Sequence, residues 1–578
     1  MDPRTAAATL NQIASYLELR RESPFKVKAY RGAAAALVAL ESDDLGELDR
    51  EGTLAGTRGL GPATLSVVRD LIETGESKYL EQLRAEIPPG LLELLDIPGL
   101  STARIHVLHE QLGVDSVDAL EAAAKDGRLA KLKGYGPKTA DKLLRGVELF
   151  RAKGSLVLYA HALASSRGLL ASVRAHPDVV RAEIAGSIRR HRETVRDTDV
   201  VAGCRADPRA VATSFARAPG VKRVTGEDTS SPCITFMDGA QLHLHCVADD
   251  DFALALWLAT GSGEHVRAVG ELLAARGYSA GAGGLQDTKG KVVAIPDEAT
   301  IYALAALPFI PPEMRELGHE LTLARSGRMP TLVELADLRG VLHCHSTYSD
   351  GKATVAEMAA AARERGWSYI GITDHSVSAF YAGGLSREQV LAQHEEIDAL
   401  NAASGSDFRI LKGIEADILA DGALDYDQAL LDRFDFVVGS IHSRFSMDRT
   451  AMTARVLRAL DDPHLTILAH PTGRLLLSRE PYAMDMDAVL EKAGALGVAI
   501  ELNADPKRLD LDWRYLPRAL ELGCVIEIGP DAHSTRGLDV TGFGVGMARK
   551  SGVESKDVLN ARSADDVLAF AARRREAR

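Results

Sequence analysis

The sequence predicts a multidomain protein with a helical front, an α+β middle and a parallel α/β barrel at the back. Three observations predict it. Residues 1–150 read as short, apolar-periodic helices separated by Gly-Pro turns, and one small device recurs there three times: "GLGPAT" (59–64), "IPGLST" (97–102) and "GYGPKT" (134–139). Residues 151–320 mix strand-like runs ("RAEIAGSI", "TDVVAGC", "PCITFM", "QLHLHCV") with helical stretches such as "DFALALWLAT". From about residue 335 onward, strand-like runs alternate with amphipathic helices: "GVLHCHS", "YIGITDHS", "RILKGIEADI", "FDFVVGSIHS", "LTILAHP", "GVAIELNA" and "GCVIEIGPDAHS". About seven strand–helix units in some 240 residues is the cadence of a parallel barrel.

Length and composition fit this division. The chain has 578 residues, enough for three or four domains, with 46% apolar and 26% charged residues. No apolar run reaches the length of a membrane span, so no membrane association is expected. The start, "MDPRTAAATLNQIASYLELRRE", reads as an amphipathic helix without the basic head, apolar middle and cleavage site of a secretory signal. Five scattered cysteines (Cys204, Cys233, Cys246, Cys344, Cys524) never form a CxxC pair. That pattern argues against a disulfide framework and suits a reducing cytoplasm. The net charge is −13, made of −4 over residues 1–334 and −9 over residues 335–578. The acidic excess therefore sits where carboxylates are candidate metal ligands. Local basic clusters, Lys26/Lys28/Arg31 and "SIRRHRETVR" (187–196), leave room for an anionic partner.

In the C-terminal half, each strand-like run closes on a metal-capable residue. In chain order these are His343 and His345 with Asp350 just beyond, then His375, Glu415, His442, His470, and Asp531 with His533. Strand ends of a parallel barrel converge on one face, so these residues are expected to meet in one pocket. Residues i and i+2 of a strand share a face, which lets the two imidazoles of "HCH" address one ion. A lone HxH says little; the same position repeated at five further blocks says much more. Nine ligands are too many for one ion and suit two or three, and imidazole with carboxylate suits Mn²⁺, Zn²⁺ or Fe²⁺.

"HCHSTYSDG", "ITDHS", "GIEADI", "GSIHS", "AHP" and "PDAHS" resemble the motifs of the PHP (polymerase and histidinol phosphatase) phosphoesterase domain. The resemblance implies that all nine residues are metal ligands and that the site hydrolyses phosphoesters. Asp374, beside His375, is read either as a supporting partner of the metal site or as a surface turn residue.

The three Gly-containing devices resemble helix-hairpin-helix motifs, which turn helix N-terminal amides toward a DNA phosphate without reading bases. Gly59, Gly61, Gly99, Gly134, Gly136 and Lys138 are the expected DNA-contacting positions. "GSIRRHRETVRDTDVV" (186–201) resembles the nucleotidyltransferase motif of family X DNA polymerases. That resemblance implies that Gly186, Ser187 and Arg190 bind the nucleotide triphosphate. It also implies that Asp197 and Asp199, alternating on a strand, are the catalytic carboxylates holding Mg²⁺ or Mn²⁺. "LATGSGEH" (258–265) and "IYALAALPFIPPEMRE" (301–316) are similar to the same family, so the resemblance to bacterial family X polymerases carrying a PHP domain covers nearly the whole chain.

Some positions depart from the family. Aligned on "LHLHCV", His243 stands where the third catalytic carboxylate belongs and His245 where an arginine belongs. A neutral imidazole suits Mn²⁺ better than Mg²⁺. Leu258–Ala259 replace a tyrosine–phenylalanine pair, Val266 an asparagine, and Arg196 a glycine. Val67 takes the position of the lysine that forms a Schiff base in lyase-competent relatives, so lyase activity is not expected.

The expected architecture is thus helix-hairpin-helix domains, a nucleotidyltransferase palm with thumb, and a distorted (βα)7 PHP barrel. The boundaries are 1–80 (N-terminal helical DNA-binding domain), 81–150 (fingers-like helix-hairpin-helix domain), 151–250 (palm), 251–322 (thumb), 323–338 (linker) and 339–578 (PHP domain). The expected function is gap-filling repair synthesis, slow and Mn²⁺-dependent, joined to a 3′–5′ exonuclease or phosphoesterase acting on DNA. The alternative is a nuclease whose altered polymerase half only holds DNA. A PHP phosphatase unconnected with nucleic acid is disfavoured by the three hairpin devices. The expected partners are dNTPs and gapped or primer-template DNA, bound without regard to sequence. The expected setting is the bacterial cytoplasm, at the nucleoid. Oligomeric state is not written in the sequence, and a monomer is the default expectation.

Overall fold

The computed structural model describes all residues except 1, 2, 39, 41–44, 89, 96, 98, 154, 155, 238, 282, 283, 317, 318, 406, 577 and 578. For residues 4, 5, 38, 149, 152, 153, 280 and 281 it describes the backbone alone. The chain divides into two compact units. The first is Met1–Ser155 with the short segments Ala218–Arg223 and Thr235–Gln241; the second is Leu156–Arg217, Val224–Ile234 and Leu242–Arg578.

The first unit is helical, as expected. Helices α1 (Pro3–Leu19), α2 (Pro24–Val38) and α3 (Pro62–Thr74) bury Leu10, Ile13, Leu17, Leu37, Val68 and Leu71 in one core. A second core gathers around α4 (Thr102–Leu112) and α5 (Pro137–Lys153), with Ile105, Leu108, Leu143 and Val147 inside. The repeated device has one backbone form. Gly59, Gly99 and Gly134 lie at φ +105°, +92° and +89°, the left-handed region that only glycine enters freely. Helix α3 starts at once after Gly61, whose amide donates to Thr64 Oγ1 at 2.9 Å, with Pro62 in the first turn. Pro98 of the second device lies outside the described residues. Val67 is buried in the first core.

The second unit begins with a sheet in which β1 (Val179–Ile184) pairs antiparallel with β2 (Thr198–Cys204), and β2 pairs parallel with β3 (Gln241–Ala248). Along β3 the period is two: Leu242, Leu244 and Cys246 are buried, while His243 and His245 share the opposite, half-buried face. Helices α6 (Phe252–Thr260) and α7 (Gly263–Ala275) follow with their own core, including Trp257, Val269, Tyr302 and Ile310.

The rest of the chain is a barrel of parallel strands: β4 (Gly340–Val341), β5 (Tyr369–Ile372), β6 (Arg409–Lys412), β7 (Glu415–Asp417), β8 (Val437–Ser440), β9 (Leu465–Leu468), β10 (Ala499–Glu501) and β11 (Ile526–Glu527). β6 and β7 are one strand path broken at Gly413–Ile414, so the described strands occupy seven positions. Parallel bridges from His375 to Glu415 and from Cys344 to Ala532 join the two runs of strands into a ring. The strands are buried on both faces, as a barrel covered by helices requires. The Phe436 ring fills the interior, and a Cβ at Gly371 would come within 2.5 Å of it. Glycine at that strand position is a packing requirement.

Polar contacts fasten the barrel to the palm and thumb segments of the same unit. At the end of helix α8 (Thr541–Lys550), Lys550 is 1% exposed and donates to Glu316 Oε1 at 2.7 Å and to the Arg190 carbonyl at 2.8 Å. Its ammonium lies 4.6 Å from the Trp513 ring centroid. Burial pushes its pKa down to about 8 even though Glu316 opposes the shift. Arg549 donates to Glu313 at 2.6 Å and Arg514 to Glu193 at 3.0 Å. Removing one member of a buried charge pair costs about 3 kcal/mol. Lys550→Ala should therefore lower the urea midpoint of the second unit, which carries all three tryptophans and so reports by intrinsic fluorescence. An unchanged midpoint would mean that the seam is not held by this cluster.

Candidate metal centre

All nine barrel residues singled out in the sequence come together at the C-terminal ends of the strands. Glu415 is their hub. Its carboxylate lies 2.8 Å from His375 Nδ1, 3.0 Å from His470 Nε2, 3.3 Å from His442 Nε2, 3.5 Å from His343 Nε2 and 3.7 Å from His345 Nε2. Asp531 Oδ1 lies 3.2 Å from His345 Nε2 and 3.6 Å from His343 Nε2. Asp350 is the outer member, 3.3 Å from His533 Nε2 and 3.6 Å from His375 Nε2. Three overlapping groups have ligand atoms close enough to share an ion: His345/Asp350/His375/His533, His343/His345/Glu415 and His375/Glu415/His442.

The donors fit divalent cations. His343 Nε2, His345 Nδ1, His375 Nδ1, His470 Nδ1 and Glu415 Oε2 are buried without a hydrogen-bond partner, which is costly unless something else satisfies them. The local charge balance says the same. Burial opposes charge at Glu415, but His442, His375 and His343 overcome it and hold the carboxyl far below its usual range. Burial likewise disfavours a charged His442, yet Glu415 and Asp417 raise it to about 10. His345, buried and facing His375, falls to about 4. Two of the nine, His470 (φ +26°) and Asp531 (φ +50°), sit in backbone conformations that L-residues avoid, strain of a kind stored at functional sites.

A surrounding layer escaped the sequence reading. Glu501 Oε1 lies 2.5 Å from His343 Nδ1, and its other oxygen accepts the His470 amide at 2.6 Å. Asp417 Oδ1 lies 2.6 Å from His442 Nδ1. Each fixes the orientation of an imidazole, the usual support of a metal-facing histidine. The signals were present: Glu501 ends the run "GVAIE", and Asp417 follows Glu415 at i+2 on the same strand face. Asn503 donates to Asp531 Oδ2 at 3.2 Å, and Arg508 Nε lies 3.6 Å from the same oxygen.

Asp374 is fully buried, which excludes the surface-turn reading, and it supports the site through the turn before Asp350. It accepts from the amides of Ser346 (2.8 Å) and Ser349 (3.2 Å), from both their hydroxyls (2.5 Å each) and from Gln393 (2.6 Å). It thus pins the turn that delivers Asp350. Asp374→Ala should weaken Mn²⁺ binding by about 10- to 100-fold, the usual effect of removing such a support. Calorimetric Mn²⁺ titration checks this, and unaltered affinity would leave the turn self-supporting.

The second candidate site lies on the palm sheet. Asp199 and His243 are register partners, and the His243 imidazole lies 3.6 Å from Asp199 and 3.8 Å from Asp197, with His245 3.5 Å from Asp199. Burial pushes the Asp199 carboxyl up, but His243 and His245 outweigh it and bring it to about 2. Burial and then Asp199 push Asp197 up. Gly186 lies at φ +59°, and any Cβ there would collide with the Asp199 carboxylate. Ser187 is half-buried on the helical turn Gly186–Arg189. Arg190 has structural partners as well. Its guanidinium donates to Glu316, a carboxylate shared with Lys550, at 3.0 Å and to the Thr260 carbonyl at 2.6 Å, so it also binds thumb to palm. Arg189 is similarly engaged by Glu298. His265, in "TGSGEH", is buried between Glu320 (2.7 Å) and the Tyr302 hydroxyl (2.8 Å) and is a packing residue. In the first unit Lys138 is exposed, and a Cβ at Gly61 or Gly136 would meet open space, as accessible hairpins require.

Family models place the same regions. Residues 342–504 match the PHP domain, 255–316 the DNA polymerase beta thumb, and 91–148 the SAM-like helix-hairpin-helix tandem. The barrel region resembles probable phosphatases of Syntrophotalea carbinolica (26% identical, covering 40% of this chain and 94% of the relative) and Caldicellulosiruptor saccharolyticus (29% identical, 33% and 78%). Over 566 residues the chain is 38% identical to DNA polymerase/3′-5′ exonuclease PolX of Bacillus subtilis, covering 97% of this chain and 98% of that protein. With the barrel centre, the palm motif and the hairpins each in their places along one such match, the chain belongs to the bacterial family X DNA polymerases that carry a PHP domain.

Proposed function

We propose that this protein is a DNA repair enzyme with two active sites, one adding nucleotides from dNTPs and one removing them from 3′ ends. The observation that carries the second activity is the convergence of nine imidazole and carboxylate side chains around buried, unpartnered ligand atoms at the barrel mouth. Those residues would hold two or three ions, with Mn²⁺ the favoured occupant and Zn²⁺ or Fe²⁺ compatible with the same donors. Such ions, when bound, activate water and steady the leaving oxygen of a phosphodiester. The chain's own contribution is to aim the imidazoles through Glu501 and Asp417 and to hold Asp350 at the outer edge through the Asp374 turn. Arg508, beside Asp531, supplies a fixed positive charge for a phosphate oxygen. The helix-hairpin-helix turns hold gapped or primer-template DNA through its backbone, independently of sequence, with Gly59, Gly61, Gly99, Gly134, Gly136 and Lys138 as the contact positions. The working place of such an enzyme is the bacterial cytoplasm, at the nucleoid. Among the described residues no helix is long and apolar enough to cross a membrane.

Nucleotide addition falls to Asp197 and Asp199, with Gly186 and Ser187 facing the triphosphate. The geometry also favours a second reading of this half. Both carboxylates already have imidazole neighbours in His243 and His245, so a strongly hydrated ion such as Mg²⁺ competes poorly there. Synthesis is accordingly slow and Mn²⁺-dependent, and in the limit the polymerase half only holds DNA.

One experiment separates these cases: purified protein with labelled primer-template and Mn²⁺ or Mg²⁺, with and without dNTPs. Shortening without dNTPs in Mn²⁺ is expected, and His343→Ala should abolish it while leaving DNA affinity unchanged. Extension is expected in Mn²⁺ and not in Mg²⁺, and His243→Asp should restore Mg²⁺-supported extension. Robust extension by the parent in Mg²⁺ contradicts the role given to His243, and undiminished shortening by His343→Ala contradicts the assignment of the barrel centre. Absence of extension with either metal selects the DNA-holding reading.

A further inference from the structure

The palm turn that carries Gly186 and Ser187 is wound tightly on itself. The Arg190 amide donates to the Gly186 carbonyl at 3.2 Å, that of His191 to Ile188 at 3.0 Å, and that of Arg192 to Ser187 at 3.0 Å. His191 closes the turn at φ +53°, a left-handed conformation that costs an L-residue strain. A displacement at residues 190–192 is therefore passed straight to Ser187. On one side the turn abuts the palm carboxylates, where Gly186 has no room for a Cβ beside Asp199.

The other side of the turn lies on helix α8 of the barrel. Phe543, Gly546 and Lys550 stand at i, i+3 and i+7 of that helix and form one stripe. The Lys550 ammonium has three protons and three acceptors: Glu316 Oε1 at 2.7 Å, the Arg190 carbonyl at 2.8 Å and the Glu313 carbonyl at 3.4 Å. Gly546 faces the His191 ring so closely that a Cβ there would collide with its buried Nδ1. Phe543 meets the Tyr159 ring edge-on at 5.7 Å, and Tyr159 lies 5.3 Å from the His191 ring. Ile188, 2% exposed, packs in the same cluster. A carbonyl, a ring and an apolar side chain of one palm turn thus all meet one barrel helix. The helix has no room to retreat. On its barrel face a Cβ at Gly544 would come within 2.7 Å of Ile528 and 2.8 Å of Ala504.

We propose that helix α8 of the barrel is a structural component of the nucleotide-addition site, with Gly546 and Lys550 as positioning residues that seat the turn Gly186–Arg192 and thereby set the affinity for dNTP. This rests on the reading of the palm as a nucleotide-adding site and gives that site a determinant from outside the palm. Neither residue touches the nucleotide. Each acts through the turn, whose amides and hydroxyl bind a triphosphate only when correctly placed.

The test measures single-nucleotide extension in Mn²⁺ against dNTP concentration for the parent, Gly546→Ala, His191→Gly and the double variant. The methyl group of Gly546→Ala should press on the His191 ring and raise KM for dNTP about tenfold, with kcat changed much less. His191→Gly removes the ring and suits the left-handed backbone, so alone it should stay near the parent. The double variant should return to the parent KM, because the two sites are coupled by contact. A raised KM that His191→Gly does not cancel would mean that Gly546→Ala disturbs the barrel at large. An unchanged KM in Gly546→Ala would mean that the turn is independent of the helix; either result overturns the proposal. A binding arm is independent of the chemistry. Anisotropy of a fluorescent dNTP, with the protein on gapped DNA bearing a dideoxy-terminated primer, should show the same loss of affinity and the same rescue. If the parent binds the dNTP without extending, the nucleotide-addition reading fails and the binding arm still decides the role of the helix. If the parent neither extends nor binds, both readings are overturned.

Discussion

One buried carboxylate organises the C-terminal half of this protein. Glu415 is 1% exposed and has five imidazoles within 3.7 Å, delivered by four other strand ends. Removing an ionised carboxylate from water costs several kcal/mol even after relaxation, and the cost is recovered only by close, well-aimed positive charge. A parallel barrel supplies that geometry because its strands all end on one face. The strain at His470 and Asp531, and the carboxylates that fix His343 and His442, are consequences of forcing so many polar groups into a closed space. The fold is the means by which a costly polar cluster is kept together.

Much of this was legible in the chain. The nine metal-capable residues could be read because each stands at the end of an apolar run, and the strand count because the runs recur with helical spacers between them. What could not be read depends on tertiary proximity. Glu501 and Asp417 have the same chemistry as the residues they support, and only the three-dimensional arrangement separates a group facing the cluster from one behind an imidazole. Asp374 stands next to a histidine in sequence yet faces away from its ring, toward a turn 28 residues earlier. Arg190 meets a glutamate 126 residues later, a partner that its motif does not announce.

The two candidate sites differ in their donor sets. The barrel keeps every position its family resemblance implies, each with its neighbours in place. The palm sheet brings Asp197 and Asp199 together with His243, and β3 places that imidazole in register with Asp199. An imidazole there is a softer donor beside the two carboxylates, so this half should depend on the identity of the metal more than the barrel does. The buried Lys550–Glu316–Arg190 contact fastens both regions within one unit, tying the end of a barrel helix to the palm motif.

The account depends on the barrel cluster being a shared cation site. Its most direct measurement is anomalous diffraction at the manganese edge from crystals grown with Mn²⁺. Two or three peaks enclosed by His343, His345, Asp350, His375, Glu415, His442, His470, Asp531 and His533 are expected. A map with no peak among these side chains, at saturating Mn²⁺ and neutral pH, would contradict it.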